Sequence, residues 1–449
     1  MKVMKFGGAA LQDAAGIRNV AAIVAAQTGP RVVVTSAMQG VTDLLAGVAA
    51  VPPTEAQVHV LMDTVRRRHA EVLGALDADD AARYAVATGC EQLERLLYGI
   101  AYTGELTPRL GDLVQSFGER LAVPLVAAAL RSADLSALHL DAEDAGILAL
   151  GPFGNARPDL PGQRRAVPAA LEPLLAAGTV PVVTGYYGID PDGHPALFGR
   201  GGSDYVASLV ARAMDAEHVE LWKDVPGFLT TDPKAVPGAR LVPELGYDEA
   251  SELAHFGAKV LHARAVEPVQ PRVPIHIRSF QDPSAPGSVV CQDPADGQGA
   301  VRACASKDGL ALLHLNGPGM AYTPGVARRV FEALDGINIL NMSTSQATFA
   351  LLLDEADLDA AQEALAPLIG GVIQSVDARG GYSLVCVVGR GLGETPGSAA
   401  RILHSVADAG VNVEMISLGA SDIAIDFIVA STDRIRALQG VHATFLEAP

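Results

Sequence analysis

Apolar residues alternate between two rhythms over the first part of the chain. Val3 to Phe6 is a short run of strand length, and Ile17, Val20, Ile23 and Val24 then recur at the spacing of one helical face. Arg31-Val32-Val33-Val34-Thr35-Ser36 is a β-branched run with a helix start following near Val41. Strands alternating with helices predict a mainly parallel sheet covered by helices on both faces. The rhythm changes over 54–110, where Met62, Val65, Val72, Leu73, Leu76, Leu93, Leu96 and Leu97 keep to helical spacing. This segment reads as a helical excursion between two sheet strands. The strand–helix pattern resumes at Phe117, with buried strands predicted over 179–186 and 218–222. Polar residues with Pro283, Pro286, Gly287, Pro294 and Gly297 make 281–299 a linker or edge region.

The C-terminal third repeats itself. Strand 310–315, a helix from Gly325 to about 334, strands 337–342 and 348–353 and a helix over 358–368 form one β-α-β-β-α unit. Strand 382–388, a helix from Gly397 to 409, strands 411–418 and 423–429 and a last helix from about Asp433 form a second. Gly-Ile-Asn-Ile at 336–339 matches Gly-Val-Asn-Val at 410–413. The expected division is a first domain over 1–298 and repeat units over 307–378 and 379–449. Neither unit carries catalytic-looking residues in its strands, which suggests a sensing module.

Composition narrows the partners. With 33 Lys and Arg against 51 Asp and Glu, the net charge is −18, so neither nucleic acid nor an anionic membrane surface is an expected partner. Four cysteines, Cys90, Cys291, Cys304 and Cys386, are scattered with no metal-ligand spacing, which suits a reducing cytoplasm. The N-terminus has no signal-peptide pattern, and no apolar run is expected to span a membrane.

Two glycine-rich turns carry the candidate chemistry. Lys5-Phe6-Gly7-Gly8 closes the first strand, and Gly199-Arg200-Gly201-Gly202-Ser203-Asp204-Tyr205 precedes a helix over 206–214. Backbone N–H groups approach phosphate oxygens closely where no Cβ intervenes, and a helix N-terminus favours an anion. Lys5 can reach the transferring phosphoryl group, and Arg200 can grip a carboxylate or phosphate with two nitrogens. Ser203 and Asp204 also read as helix caps. The segments 222–227 and 230–234 offer Trp222 as a flat surface, hydroxyls and a lysine, suited to a nucleotide base and its phosphates. Ser36, Thr42 and Glu119 are polar residues at other strand-to-helix junctions, and His262 is expected on a helix face with Lys259. No Walker A sequence and no Ser/His/Asp arrangement occurs, and the metal ligands stay unassigned.

Taken in order, Lys5–Gly8, Ser36-Ala37-Met38 with Gly40 and Thr42, Gly118-Glu119-Arg120, Gly199–Tyr205, Trp222–Gly227, Thr230–Pro233 and Phe256–His262 resemble the signatures of the aspartate kinases, members of the amino-acid kinase family that carry tandem ACT domains. The resemblance implies a three-layer α/β/α kinase domain followed by two ferredoxin-like ACT domains, the first inserted into the second, which takes a strand from 300–306. It implies transfer of the ATP γ-phosphoryl group to the side-chain carboxylate of L-aspartate, with Mg2+ riding on the nucleotide.

The same resemblance assigns roles residue by residue. Lys5 and Asp204 would be catalytic. Ser36, Thr42, Glu119, Arg200 and Ser203 would hold aspartate, Glu119 taking the ammonium and Arg200 the α-carboxylate. Lys5, Gly7, Gly8, Gly201, Gly202, Trp222, Asp224, Thr230, Lys234 and Lys259 would contact the nucleotide. Met320, Gly325, Val326, Asn338, Ile339 and Ser345 would line a lysine or threonine effector pocket at an ACT–ACT interface of a homodimer or higher homo-oligomer. Two positions depart from the family pattern: Ala9-Ala10 stands where many relatives have Thr-Ser, and Leu340 where lysine-sensitive relatives carry an acid. A related kinase acting on another acid, and a non-catalytic amino-acid sensor on a kinase scaffold, are the alternatives.

Overall fold

A computed structural model describes residues 1–257, 260–295 and 301–447. The chain forms two compact units, the first from Met1–Phe228, Pro243–Ser251 and Val260–Pro294, the second from 229–242, 252–259 and 295–449.

The first unit is built on β1 (Lys2–Phe6), β2 (Arg31–Thr35), β3 (Ala137–Leu140), β6 (Val180–Thr184), β9 (His218–Lys223), β10 (Glu244–Gly246), β11 (Ile275–Ser279) and β12 (Ser288–Cys291). Two short ribbons, β4 (Ala149–Leu150) with β5 (Arg157–Pro158) and β7 (Tyr187–Ile189) with β8 (Pro195–Leu197), complete its strands. The main sheet runs β10-β12-β11-β9-β1-β2-β6-β3, parallel throughout except at the antiparallel β11–β12 pair. β12 lies within the stretch expected to be a linker. Val289 and Val290 pair on both sides there, so a short apolar run inside a Pro/Gly-rich segment still joins the sheet.

The helices are α1 (Ala14–Ala25), α2 (Val41–Val48), α3 (Glu55–Ala75), α4 (Asp80–Thr103), α5 (Pro108–Ser132), α6 (Leu160–Ala176), α7 (Gly202–Ala213) and α8 (Tyr247–His255). The strand pattern does not resume at Phe117, because that residue lies inside α5. The helical excursion runs on to Ser132, and Pro124 sits within the helix without ending it. By length and hydropathy α5 is long enough to cross a membrane, against expectation. With 83% of its most apolar window buried inside the unit, it is a core helix.

Side-chain alternation decides which face of the sheet does what. On β1, Met4 and Phe6 join the apolar core shared with α1, α3, α4 and α5. Lys5 points to the other face, where α7 packs against β1 and β9.

The second unit is one six-stranded antiparallel sheet, formed by β13 (Ala303–Asn316), β14 (Ile339–Thr344), β15 (Thr348–Asp354), β16 (Ser375–Val388), β17 (Met415–Ser417) and β18 (Ala424–Ala430), in the order β14-β15-β13-β16-β18-β17. Its helices are α9 (Val326–Ala333), α10 (Leu358–Leu365), α11 (Ser398–Asp408) and α12 (Arg434–Phe445). The two sequence repeats share their central strands. Residues 303–307 of β13 pair with the second half of β16, and 310–316 pair with both β15 and the first half of β16. The strand from the 300–306 region thus belongs to the second repeat, while the continuation of the same strand opens the first. Each repeat keeps its own apolar core, one around Leu313, Val330 and Leu365, the other around Val385, Ile402 and Phe427.

Candidate active site

The site forms at the C-terminal edge of β1, β2 and β9. Lys5 is nearly sealed, with its ammonium 2.5 Å from Asp204 Oδ1 and both side chains 6% exposed. Asp204 stands in the first turn of α7, where the helix dipole favours a carboxylate. Its Oδ2 accepts a hydrogen bond from Lys223 Nζ at 2.6 Å. Burial works to raise the Asp204 pKa, but the ammonium groups of Lys223 and Lys5 outweigh it and hold the carboxyl well below its usual range. Burial lowers the Lys5 pKa, with Asp204 pulling the other way. One carboxylate thus faces two ammonium groups, leaving the cluster one positive charge in excess.

The glycine-rich turn is shaped by close approach. Gly201 caps α7 in the left-handed region at φ +73°, and a Cβ there would meet the His262 ring at 2.4 Å. A Cβ on Gly202 would meet the Tyr186 carbonyl at 2.8 Å. Arg264 braces the turn from below, donating to the carbonyls of Phe198 and Ala156. Arg200, inside the turn, is exposed and forms no ion pair among the described residues. Gly7 starts a 3-10 turn over Gly8–Leu11, with the Lys5 ammonium 3.5 Å from where its Cβ would lie. Gly8 packs against the Ala37 carbonyl.

Glu119 sits on the other side of Lys5. It lies in mid-helix on α5, not at a strand-to-helix junction as expected. Gly118 lets α5 close on the turn after β2, since a Cβ there would be 2.9 Å from the Ala37 Cβ. Glu119 Oε1 then accepts the Ala37 N–H at 3.1 Å, while Oε2 is buried with no hydrogen-bond partner. Burial pushes the Glu119 pKa up to about 8, against the pull of the Ala37 N–H and Lys5. A sealed carboxyl with one open oxygen is a receptor for a cation. Arg120, next in the motif, turns away to pair with Asp141 and Glu143. Ser36 and Thr42 flank this side half-buried, and Ser203 is buried at the start of α7.

Several expected residues lie elsewhere. Trp222 is not a base platform. It is 1% exposed, stacked on Phe6 at 5.9 Å with the Arg278 guanidinium 5.2 Å from its ring, and its Nε1 donates to Glu220. The register pairs Phe6 with Trp222, so alternation puts both on the core face, opposite Lys5. The site residue on β9 is instead Lys223, one position later, which sequence reasoning passed over; its place on the Lys5 face follows from that pairing. Asp224 is exposed at the end of β9.

Thr230 and Lys234 belong to the second unit. The Thr230 hydroxyl is engaged there, with His442 Nε2 at 3.0 Å and the Arg240 N–H at 2.9 Å, and Lys234 is exposed. Lys259 lies outside the described residues, and His262 precedes a 3-10 turn rather than sitting on a helix. Among the expected effector residues, Met320 and Val326 belong to the core of the first repeat, Gly325 is the left-handed cap of α9, and Ile339 opens edge strand β14. Asn338 and Ser345 are exposed.

The fold and site define a class of protein: a parallel α/β unit with a cationic cluster at its sheet edge, followed by two fused α+β repeats. The chain belongs to the amino acid kinase family, whose family model matches residues 1–279; the ACT domain model matches 313–367 and 385–445. Over its whole length it is similar to the lysine-sensitive aspartokinase 3 of Escherichia coli, 32% identical over 460 residues, covering 99% of both chains. The crystal structure of E. coli aspartokinase III in complex with aspartate and ADP superposes with a TM-score of 0.86 at 30% identity, covering 100% of both chains. The chain is also 30% identical over 465 residues to the chloroplastic bifunctional aspartokinase/homoserine dehydrogenase 1 of Arabidopsis thaliana, covering 99% of this chain but 51% of that one. It therefore spans about half the length of the bifunctional relatives it matches.

Proposed function

We propose that the chain is an aspartate kinase, transferring the γ-phosphoryl group of ATP to the side-chain carboxylate of L-aspartate to give 4-phospho-L-aspartate. The observation that carries this reading is the order of groups along the sheet edge. A sealed carboxyl with one open oxygen stands on the β2 side of Lys5, and a cationic cluster with surplus positive charge stands on the β1–β9 side. Glu119 takes the aspartate ammonium and is ionised by it. Arg200 takes the α-carboxylate, with Ser36, Thr42 and Ser203 around it. Lys5 balances the charge on the transferring phosphoryl group, and Asp204 holds Lys5 in place. The acceptor carboxylate is already ionised at neutral pH, so the reaction needs positioning more than a base.

Both Asp204 oxygens are engaged by lysines and Glu119 is sealed, so Mg2+ enters as part of the nucleotide substrate. Asp224 and the phosphates are the groups open to it. No disulfide links the four cysteines, which supports a cytoplasmic setting. The second unit offers exposed edge residues on β14 and β17, which support assembly into a homodimer and control by lysine or threonine. A coupled ADP-release assay with aspartate, glutamate or no acceptor tests the reading. Turnover with aspartate alone supports it; turnover with glutamate, or none with either, contradicts it.

A further inference from the structure

The aspartate-kinase reading uses Lys5 and Asp204 but leaves Lys223 without a task. On β9, next to β1, the register sets Leu221 beside Lys5, so Lys223 stands two residues further toward the cleft on the same face. Its side chain is 18% exposed against 6% for Lys5. Asp204 divides its two oxygens between the two ammonium groups, and Glu119, the other carboxyl that acts on Lys5, is pushed toward its neutral form by burial. Strand order adds a direction. The acceptor-side groups, Ser36 and the Ala37–Glu119 contact, follow β2 on one side of Lys5, while Lys223 ends β9 on the other.

We propose that Lys223 is a second phosphate-binding residue, facing the β-phosphate on the leaving-group side of the transferring phosphoryl. This rests on the aspartate-kinase reading for its direction. In the transfer, a bond forms between a carboxylate oxygen of aspartate and the γ-phosphorus. The bond from the γ-phosphorus to the bridging oxygen breaks, and its electron pair stays on that oxygen as ADP leaves. Lys223 meets the charge that grows there as an ammonium that gives up no proton. Asp204 keeps Lys5 and Lys223 apart and in line before the nucleotide arrives.

The test compares wild type, Lys223→Met and Lys223→Arg by calorimetric titration with ADP and with AMP, and by steady-state kinetics. In Lys223→Met, ADP affinity falls about tenfold or more and the KM for ATP rises with it, as loss of a charge-assisted hydrogen bond requires. AMP affinity and the KM for aspartate stay within about twofold, and arginine restores much of the ADP affinity. Unchanged ADP affinity, an equal loss for AMP, or a fall in kcat alone overturns the proposal. Failure of the kinase reading shows separately, as a wild-type protein that turns over no aspartate, whereas the ADP–AMP contrast reads Lys223 by itself.

Discussion

Strands β1 and β9 show two faces that share a backbone and differ in everything else. On one face Met4, Phe6 and Trp222 pack into an apolar core, with Phe6 and Trp222 stacked nearly parallel at 13°. On the other, Lys5 and Lys223 converge on Asp204. A shift of one residue moves a side chain from packing to chemistry. The core face is held by area, where each large side chain stabilises by being hidden. The charged face is held by mutual compensation, so removing the shared carboxylate strands both ammonium groups. Substitutions of Lys5 and of Trp222 should therefore fail in different assays.

The largest effect is expected from Lys5→Met, which should lower kcat by about 10³-fold while the thermal midpoint moves little, because Lys223 still pairs with Asp204. A well-folded variant with wild-type kcat would remove Lys5 from the chemistry. Trp222→Ala should do the reverse. It should cost about 3–5 kcal/mol by chemical denaturation with little change in the KM for ATP. A selective rise in that KM would restore Trp222 as a nucleotide contact. Asp204→Asn leaves the buried Lys5 ammonium and the part-buried Lys223 ammonium facing a neutral amide, so the free protein should lose about 3–5 kcal/mol. Saturating ATP should return part of that loss in a melting experiment, and a ligand shift no larger than wild type would count against an anion site here.

Smaller and more graded is the effect of pH on aspartate binding. The empty-site Glu119 has its pKa raised to about 8, so the proton must leave before the carboxylate can pair with an ammonium. The KM for aspartate should fall as pH rises from 6.5 toward about 8 and then level, while the KM for ATP stays flat. Glu119→Gln should raise the aspartate KM and remove this pH dependence. Folding responds to pH with the opposite sign. A raised carboxyl pKa means the native state holds its proton more tightly than the unfolded chain, and that stabilisation fades as pH climbs through about 8. The glutamine variant should unfold with less loss at high pH than wild type, in melts of the ligand-free protein.

Much of this was readable from the chain, and the misses have physical reasons. The run Gly199–Tyr205 announces itself because glycine beside arginine and aspartate has few other uses at a strand-to-helix turn. Lys5 is legible through the same logic. Glu119 is legible as a residue type but not in its place, because α5 is apolar on nearly every side and carries Pro124, so local periodicity does not show one long helix. Trp222 was misread and Lys223 passed over because only the pairing with β1 says which face each occupies. The second unit was legible as two repeats. Its fusion into one sheet was not, since β13 and β16 each serve both repeats through register shifts between Lys307 and Leu312.

The most direct test of the account is a structure with aspartate and an ATP analogue that cannot transfer its terminal group. It predicts the amino-acid ammonium against Glu119 on the β2 side, with the phosphates against Lys5 and Lys223 over β1 and β9. Phosphates that touch neither ammonium, or an amino acid seated on the β9 side, would contradict it.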